Sequence, residues 1–175
     1  MSVEIVFGNI LDAGINDVTA ILHQVNCKGV MGAGLAKEIK KKYPVVFDYY
    51  HRLCCDRHYN PPFMITSPLL GRIQVVWPDN HLVGESPQYP AVVNLFAQDG
   101  YGRGKRFTDY YALEKCLQEV NKRFHGERVA IPYGMSCGLA GGDWSVVSRL
   151  IEENLCDCKV YIYKLAEKQE KEKRM

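Results

Sequence analysis

Two glycine-rich stretches, far apart in the chain, constrain its fold more than any other feature. The first covers residues 29–36 and the second residues 134–142; each follows a short apolar run and precedes a helical pattern. Glycine lets the backbone approach a ligand closely, and a helix N-terminus behind such a loop favours negative charge. The pattern predicts a cleft that holds a diphosphate from two sides, with two simple strand-to-helix turns as the alternative.

The rest of the chain alternates between apolar strands and amphipathic helices. Predicted strands cover residues 3–7, 21–26, 73–77, 91–96, 128–132 and 159–165. Predicted helices cover residues 35–43 and 45–54, a segment capped by Thr108 and a segment capped by Asp143. This alternation predicts an α/β layered fold, with ligands outside the carboxyl ends of the strands. We expect one domain over residues 1–165 and a charged tail over residues 166–175.

The composition is that of a soluble globular chain, with 47% hydrophobic and 24% charged residues. A net charge of +2 gives no reason to expect strong nucleic-acid binding. No apolar run reaches the roughly 18 residues of a membrane helix, and the N-terminus lacks the pattern of a signal peptide. We therefore expect a cytoplasmic monomer that does not associate with membranes; a nuclear location is also open if the source is eukaryotic.

The sequence contains neither the pattern of a structural zinc site nor a known phosphate-binding motif. The seven cysteines are an odd, scattered set that favours reduced thiols. Residues 55–58 and 156–158 each lack the second half of a structural zinc site. Residues 104–106 fail the Walker A pattern, and no glycine pair has the third glycine of a dinucleotide fingerprint. We therefore expect no metal and no cofactor.

Several segments, taken in order, resemble the macrodomain family, which binds ADP-ribose. They are residues 8–11, 23–27, 31–36, 131–132, 136–139 and 160–165. The resemblance covers nearly the whole chain. It implies a three-layer α/β/α fold with a mixed, mostly parallel central sheet, and a cleft for ADP-ribose or a derivative.

The resemblance also implies which residues contact each part of that ligand. Gly8, Asn9 and Ile10 would lie near adenine, with Tyr163 or Leu165. Asn26 would face the distal ribose. The diphosphate would be bound by the first loop (Met31, Gly32, Ala33, Gly34, Leu35, Ala36) and the second (Pro132, Gly134, Met135, Ser136, Cys137, Gly138, Leu139).

Asn9 departs from the family pattern, in which an Asp accepts a hydrogen bond from the adenine amino group. The Asn9 carbonyl could still accept, and its amide could donate to a ring nitrogen. Alternatively, Asn9 is a turn residue that bonds its own backbone.

Two branches of the family are similar to this chain. One contains ADP-ribose-1''-phosphate phosphatases; the other removes ADP-ribose from glutamate or from thymidine in DNA. The second branch uses a lysine on a middle strand, and its glutamate-acting members add an Asp in the second glycine loop. Here residues 93–98 contain no lysine, and Ala140 stands where that Asp would fall. Covalent lysine chemistry is therefore disfavoured.

Three side chains are candidates for catalysis: His23, Asn26 and Asp99. A histidine with the ordinary pKa near 6.5 offers both protonation states at neutral pH, although a buried structural histidine is the alternative. Asp99 could hold a water or orient His23, or it could simply form a turn. Asn26 could position a water or the ribose hydroxyls.

Other side chains near the loops have two interpretations each. Cys137 stands before a helix, where a thiolate would be stabilised, but the loop backbone is the simpler phosphate ligand. Arg103, Lys105 and Arg106 could screen a terminal phosphate, or they could form an ordinary solvated surface.

The sequence thus predicts a metal-independent hydrolase that converts ADP-ribose-1''-phosphate to ADP-ribose and phosphate. A non-catalytic reader of ADP-ribosyl groups is the first alternative. The second is an ADP-ribosyl hydrolase that uses a positioned water on modified protein or nucleic acid. A scaffold or RNA-binding module is the last, and the near-neutral charge argues against it.

Overall fold

A computed structural model describes residues 2–80 and 85–166 of the chain. The strands are β1 (Ser2–Phe7), β2 (Ala20–Asn26), β3 (Ile73–Val76), β4 (Ala91–Gln98), β5 (Arg128–Pro132) and β6 (Lys159–Lys164). The helices are α1 (Gly34–Lys42), α2 (Pro44–Cys55), α3 (Tyr110–Arg123) and α4 (Trp144–Asn154), and a 3-10 turn covers Ile10–Asp12. The predicted tail lies outside the described residues, except for Ala166.

The described strands form one sheet in the order β1-β6-β5-β2-β4-β3. β1, β6, β5, β2 and β4 pair in parallel, whereas β3 runs antiparallel to β4 at one edge. β2 and β4 read as near-continuous apolar runs because helices cover both of their faces. The prediction of a mixed, mostly parallel sheet is confirmed.

Helices pack on both faces of this sheet. On one face, Leu117 of α3 and Ile151 of α4 belong to the same buried cluster as Leu22 and Leu95. On the other face, α1 and α2 contribute Ile39, Val46 and Tyr50, which pack with Ile21, Val25 and Phe96. The three-layer α/β/α prediction is therefore confirmed.

One predicted helix cap is wrong. The Asp109 side chain, not Thr108, accepts the hydrogen bond that begins α3, from the Ala112 backbone N–H at 2.9 Å. Thr108 is buried, and its hydroxyl donates to the Ser136 carbonyl at 2.9 Å. The sequence pattern identified the start of the helix, but a long-range partner one residue earlier competes for the threonine hydroxyl. Asp143 does cap α4, as predicted.

No helix within the described residues combines the length and the apolar character that a membrane span requires.

Candidate functional site

The carboxyl ends of the parallel strands open onto a cleft made of three adjoining pockets. The proximal pocket, of about 510 Å³, is lined by residues 8–11, 34–35, 37–38, 132–133 and 163–165. The middle pocket, of about 320 Å³, is lined by residues 23–24, 33–36, 98, 132–136 and 138–140. The distal pocket, of about 330 Å³, is lined by residues 24–26, 30, 32–33, 36, 98, 101–103 and 139–140. Shared lining residues make the cleft continuous.

Both glycine-rich loops form walls of the middle pocket. Residues 33–36 contribute one side and residues 134–140, except Cys137, contribute the other. Each loop belongs to a different helical layer, since Met31 packs with the α2 side and Met135 with the α3 and α4 side. The fold therefore brings together two segments about 100 residues apart. This is expected, because strand-to-helix loops of a parallel sheet meet at the carboxyl ends of its strands.

The loop backbones carry unused hydrogen-bond donors. Ala33 begins α1 without a side-chain cap. The N–H groups of Gly34, Leu35 and Ala36 bond no acceptor in the described part of the chain. The same is true, among the described residues, of the N–H groups of Ser136, Gly138, Leu139 and Ala140. Unpaired N–H groups require an outside acceptor, and a helix N-terminus favours an anionic one.

A network of polar side chains holds the second loop in place. Gln24 Nε2 donates to Gln98 Oε1 at 2.7 Å and to Thr108 Oγ1 at 3.0 Å. Ser136 Oγ donates to Gln24 Oε1 at 2.6 Å. Gln24 and Gln98 were not predicted from the sequence; the available signal was a glutamine in the C-terminal half of β2 and another at the end of β4.

His23 is buried in β2 and lines the middle pocket. Its Nε2 lies 2.5 Å from Asn94 Oδ1, while the Asn94 amide donates to Gln74 Oε1 at 2.9 Å. Because Asn94 Oδ1 can only accept, Nε2 carries the proton and Nδ1 keeps its lone pair. Nδ1 has no hydrogen-bond partner among the described residues.

Burial lowers the pKa of His23 to about 4, despite the opposing effect of the hydrogen bond that His23 donates to Asn94. The imidazole is therefore neutral at pH 7. The expectation that both protonation states are available at neutral pH is wrong, because a charged ring would lose its hydration in this site.

Asp99 does not orient His23, and that expectation is also wrong. Its Oδ1 lies 3.3 Å from Lys28 Nζ, and its backbone carbonyl accepts from Cys27 N–H at 3.1 Å. Asp99 lines none of the three pockets. The chain turns at the end of β4, and this turn directs the carboxylate to Lys28.

Asn26 shapes the first loop and lines the distal pocket. Its Oδ1 accepts from the Lys28 N–H at 2.9 Å and from the Tyr50 hydroxyl at 2.8 Å. Its Nδ2 donates to the Val30 carbonyl at 2.7 Å. An amide nitrogen carries two hydrogens, so one donor remains for a ligand.

Asn9 uses its side-chain oxygen locally. Asn9 Oδ1 accepts from the Leu11 N–H at 3.1 Å and caps the 3-10 turn. This is the turn role weighed in the sequence analysis, and it leaves the Asn9 amide hydrogens facing no described partner. Asn9 lines the proximal pocket together with Tyr163 and Leu165.

Two predicted ligand-binding residues line none of the three pockets. Met31 is buried beside Tyr50 and Phe96 in the core. Cys137 Sγ contacts the Met135 carbonyl at 3.2 Å, and burial raises the pKa of the Cys137 thiol. The expectation of a stabilised thiolate is therefore wrong. Every other predicted ligand-binding residue lines at least one pocket.

The residues that the structure describes contain no cluster of three or more His, Cys, Asp or Glu side chains that could hold a metal ion.

The fold and the two-loop cleft are those of a macrodomain. The chain matches the macrodomain of Mycobacterium tuberculosis DarG with a TM-score of 0.69 and 26% identity, over 94% of this chain and 98% of that one. No family model matches the sequence.

Curated relatives refine this class. One is an ADP-ribose 1''-phosphate phosphatase of Aspergillus fumigatus, 38% identical in an alignment that covers 78% of this chain and 83% of the relative. Another, from Meyerozyma guilliermondii, has the same name and is 32% identical over 81% of this chain and 87% of the relative. The chain belongs to the ADP-ribose 1''-phosphate phosphatase family.

Proposed function

We propose that this protein binds ADP-ribose in the cleft and hydrolyses ADP-ribose-1''-phosphate to ADP-ribose and inorganic phosphate. The observation that carries the proposal is that both loops line the middle pocket with residues whose backbone N–H groups bond no acceptor in the described part of the chain. Among the described residues, no Asp or Glu lines this pocket, so the lining adds no carboxylate that would repel a diphosphate. The names of the curated relatives support the same substrate.

The continuous cleft supports one order of the ligand groups. With the diphosphate in the middle pocket, the larger proximal pocket takes the adenosine, close to Asn9 and Tyr163. The distal pocket then takes the second ribose, where Asn26 has one amide hydrogen to donate. A phosphate on that ribose would lie at the far end of the distal pocket.

Hydrolysis requires a water to attack phosphorus while the bond from phosphorus to the ribose oxygen breaks and that oxygen gains a proton. His23 is suited to one part of this reaction. Its Nδ1 has a free lone pair and can accept a proton, but the neutral ring has none to give from that atom. His23 lines the middle rather than the distal pocket, and its Nδ1 is buried, so this role requires a second water to enter beside the ring and relay the proton. Covalent attack by lysine is unavailable, since β4 contains none.

His23→Gln tests this role. A glutamine can keep the donor to Asn94 but has no lone pair at the Nδ1 position. We expect phosphate release to fall by about a hundredfold or more, with the Kd for ADP-ribose changed by less than about twofold. Phosphorus NMR with catalytic amounts of protein measures the release. Unchanged turnover in the variant would exclude His23 from the mechanism.

A non-catalytic reader is the second candidate, and the environment of His23 favours it. A group with a pKa near 4 is a weak base at pH 7. For a reader, the same NMR experiment would shift or broaden the diphosphate signals and produce no inorganic phosphate at any protein concentration.

A further inference from the structure

Arg103 stands out among the residues that line the ligand cleft. In the described chain, the middle and distal pockets are lined by uncharged groups, namely backbone, amide, hydroxyl, imidazole and apolar groups, with one exception. Arg103 is the one lysine, arginine, aspartate or glutamate among the described residues that line them. It lies on the wall of the distal pocket, beside the exposed Tyr101. A permanent positive charge is therefore present at the end of the cleft that is farthest from the proximal pocket.

The neighbouring cations are already engaged. Lys105 Nζ lies 5.0 Å from the centre of the Phe107 ring, and the Arg106 guanidinium lies 4.5 Å from the centre of the Tyr110 ring. Lys28 pairs with Asp99. Arg103, by contrast, makes no ion pair, hydrogen bond or ring contact with any described residue. Its guanidinium is available to a ligand.

The segment that carries Arg103 is tied to the second glycine loop. The Phe107 and Thr108 N–H groups both donate to the Ala140 carbonyl, at 2.8 and 3.1 Å. At the other end, Gln98 Nε2 donates to the Gly100 carbonyl at 2.9 Å. Ala140 and Gln98 also line the distal pocket. The residues that bond to the segment carrying Arg103 are therefore themselves part of the pocket wall.

We propose that Arg103 is the residue that recognises a terminal phosphate on the distal ribose, so that the protein prefers phosphorylated ADP-ribose to ADP-ribose itself. The inference rests on the proposed function, because it takes the ligand to lie with its distal ribose in the distal pocket. A phosphate dianion requires more than neutral amides, and a guanidinium can bind two of its oxygens at once. Of the three basic side chains in residues 103–106, only Arg103 is assigned this role.

Competition binding against a fluorescent ADP-ribose tests the assignment with two ligands, ADP-ribose and ADP-ribose-1''-phosphate. We expect Arg103→Ala to weaken binding of the phosphorylated ligand by about ten- to a hundredfold. The same variant should change ADP-ribose binding by less than about twofold. Arg103→Lys should recover part of the loss, because it restores the charge but not the bidentate geometry.

Arg106→Ala is the matched control, since it removes the same charge from the same segment. It should leave the ratio of the two dissociation constants unchanged. Equal losses for both ligands in Arg103→Ala, no loss for either, or an equal loss of discrimination in Arg106→Ala would each overturn the proposal.

Phosphorus NMR of the same samples separates this inference from the proposed function. It reports whether the unsubstituted protein releases phosphate and whether the ligand stays intact during the titration. If ligand turnover is fast, kcat/KM for the phosphorylated ligand replaces its Kd. Discrimination that depends on Arg103, without phosphate release, would overturn the phosphatase and support the inference.

Discussion

Ser136 has a backbone conformation that its side chain does not favour. Its φ of +70° lies in the left-handed region, which costs a non-glycine residue about 1–2 kcal/mol. Its carbonyl accepts from the Thr108 hydroxyl at 2.9 Å and from the Gly142 N–H at 2.8 Å. A Cβ at Gly142 would lie 2.6 Å from that carbonyl oxygen, so glycine is required there. These contacts fix the loop that lines one side of the middle pocket.

Thr108→Val tests the importance of that support. Valine has the shape of threonine but removes the hydroxyl that donates to Ser136 and accepts from Gln24. Removing these two hydrogen bonds should lower the free energy of unfolding by about 1–3 kcal/mol and weaken ADP-ribose binding, although Ser136 keeps its bond from Gly142 and Gln24 keeps its bond to Gln98. Urea unfolding and calorimetric titration measure the two effects.

Thr19→Val is the control for this substitution. The Thr19 hydroxyl donates a hydrogen bond to Glu127 at 2.7 Å, but that bond is exposed to solvent. We expect a change in stability below about 0.5 kcal/mol and no change in affinity. If the two valine variants behave alike, the buried network does not determine the loop geometry.

The glycine loops differ in how well they tolerate substitution. Gly34 has a φ of +54°, so any side chain there is strained. Gly138 lacks a positive φ, and a Cβ built on it meets no atom within 4 Å. Gly138 lines the middle pocket, and a side chain can be added there without distorting the loop.

Gly138→Glu should abolish ADP-ribose binding, because its carboxylate would occupy the pocket that we assign to the diphosphate. We expect at least about a hundredfold loss of affinity, since like charges meet in a partly desolvated site. Gly138→Ala, which adds only the Cβ, should bind within about threefold of the unsubstituted protein. Calorimetry gives both values, and normal binding by the glutamate variant would contradict the diphosphate assignment.

The elements of this fold could be predicted from the sequence because their signals are local. The apolar run of β4 and the glycine loop after Pro132 can each be recognised within a window of about ten residues. Side-chain partners are not local: His23 meets Asn94 across 71 positions, and Ser136 meets Gln24 across 112. For this reason the sequence located both walls of the cleft, but gave the wrong protonation state for His23 and the wrong role for Thr108.

At the scale of the whole molecule, His23 links stability to pH. Its pKa is about 4 in the folded protein and about 6.5 in the unfolded chain. Between these values the unfolded chain binds the extra proton, so stability falls as the pH decreases from 6.5 to 4. This loss of stability is small near pH 7. It amounts to about 2–3 kcal/mol between pH 7 and pH 4.5.

Comparison with His23→Gln isolates this contribution, because the carboxylates titrate in both proteins. Denaturant unfolding at pH 7 and pH 4.5 should show that the unsubstituted protein loses about 2–3 kcal/mol more than the variant over this interval. Parallel losses in the two proteins would mean that His23 has an ordinary pKa in the folded state.

The two walls of the middle pocket belong to opposite helical layers, one behind α1 and α2 and the other behind α3 and α4. A ligand that bonds to both walls acts as a non-covalent cross-link between the layers. Detachment of either layer from the sheet would then require release of the ligand. At a ligand concentration of 100 times Kd this linkage adds about 2.7 kcal/mol to the free energy of unfolding. The supply of nucleotide would thereby set the resistance of the protein to proteolysis.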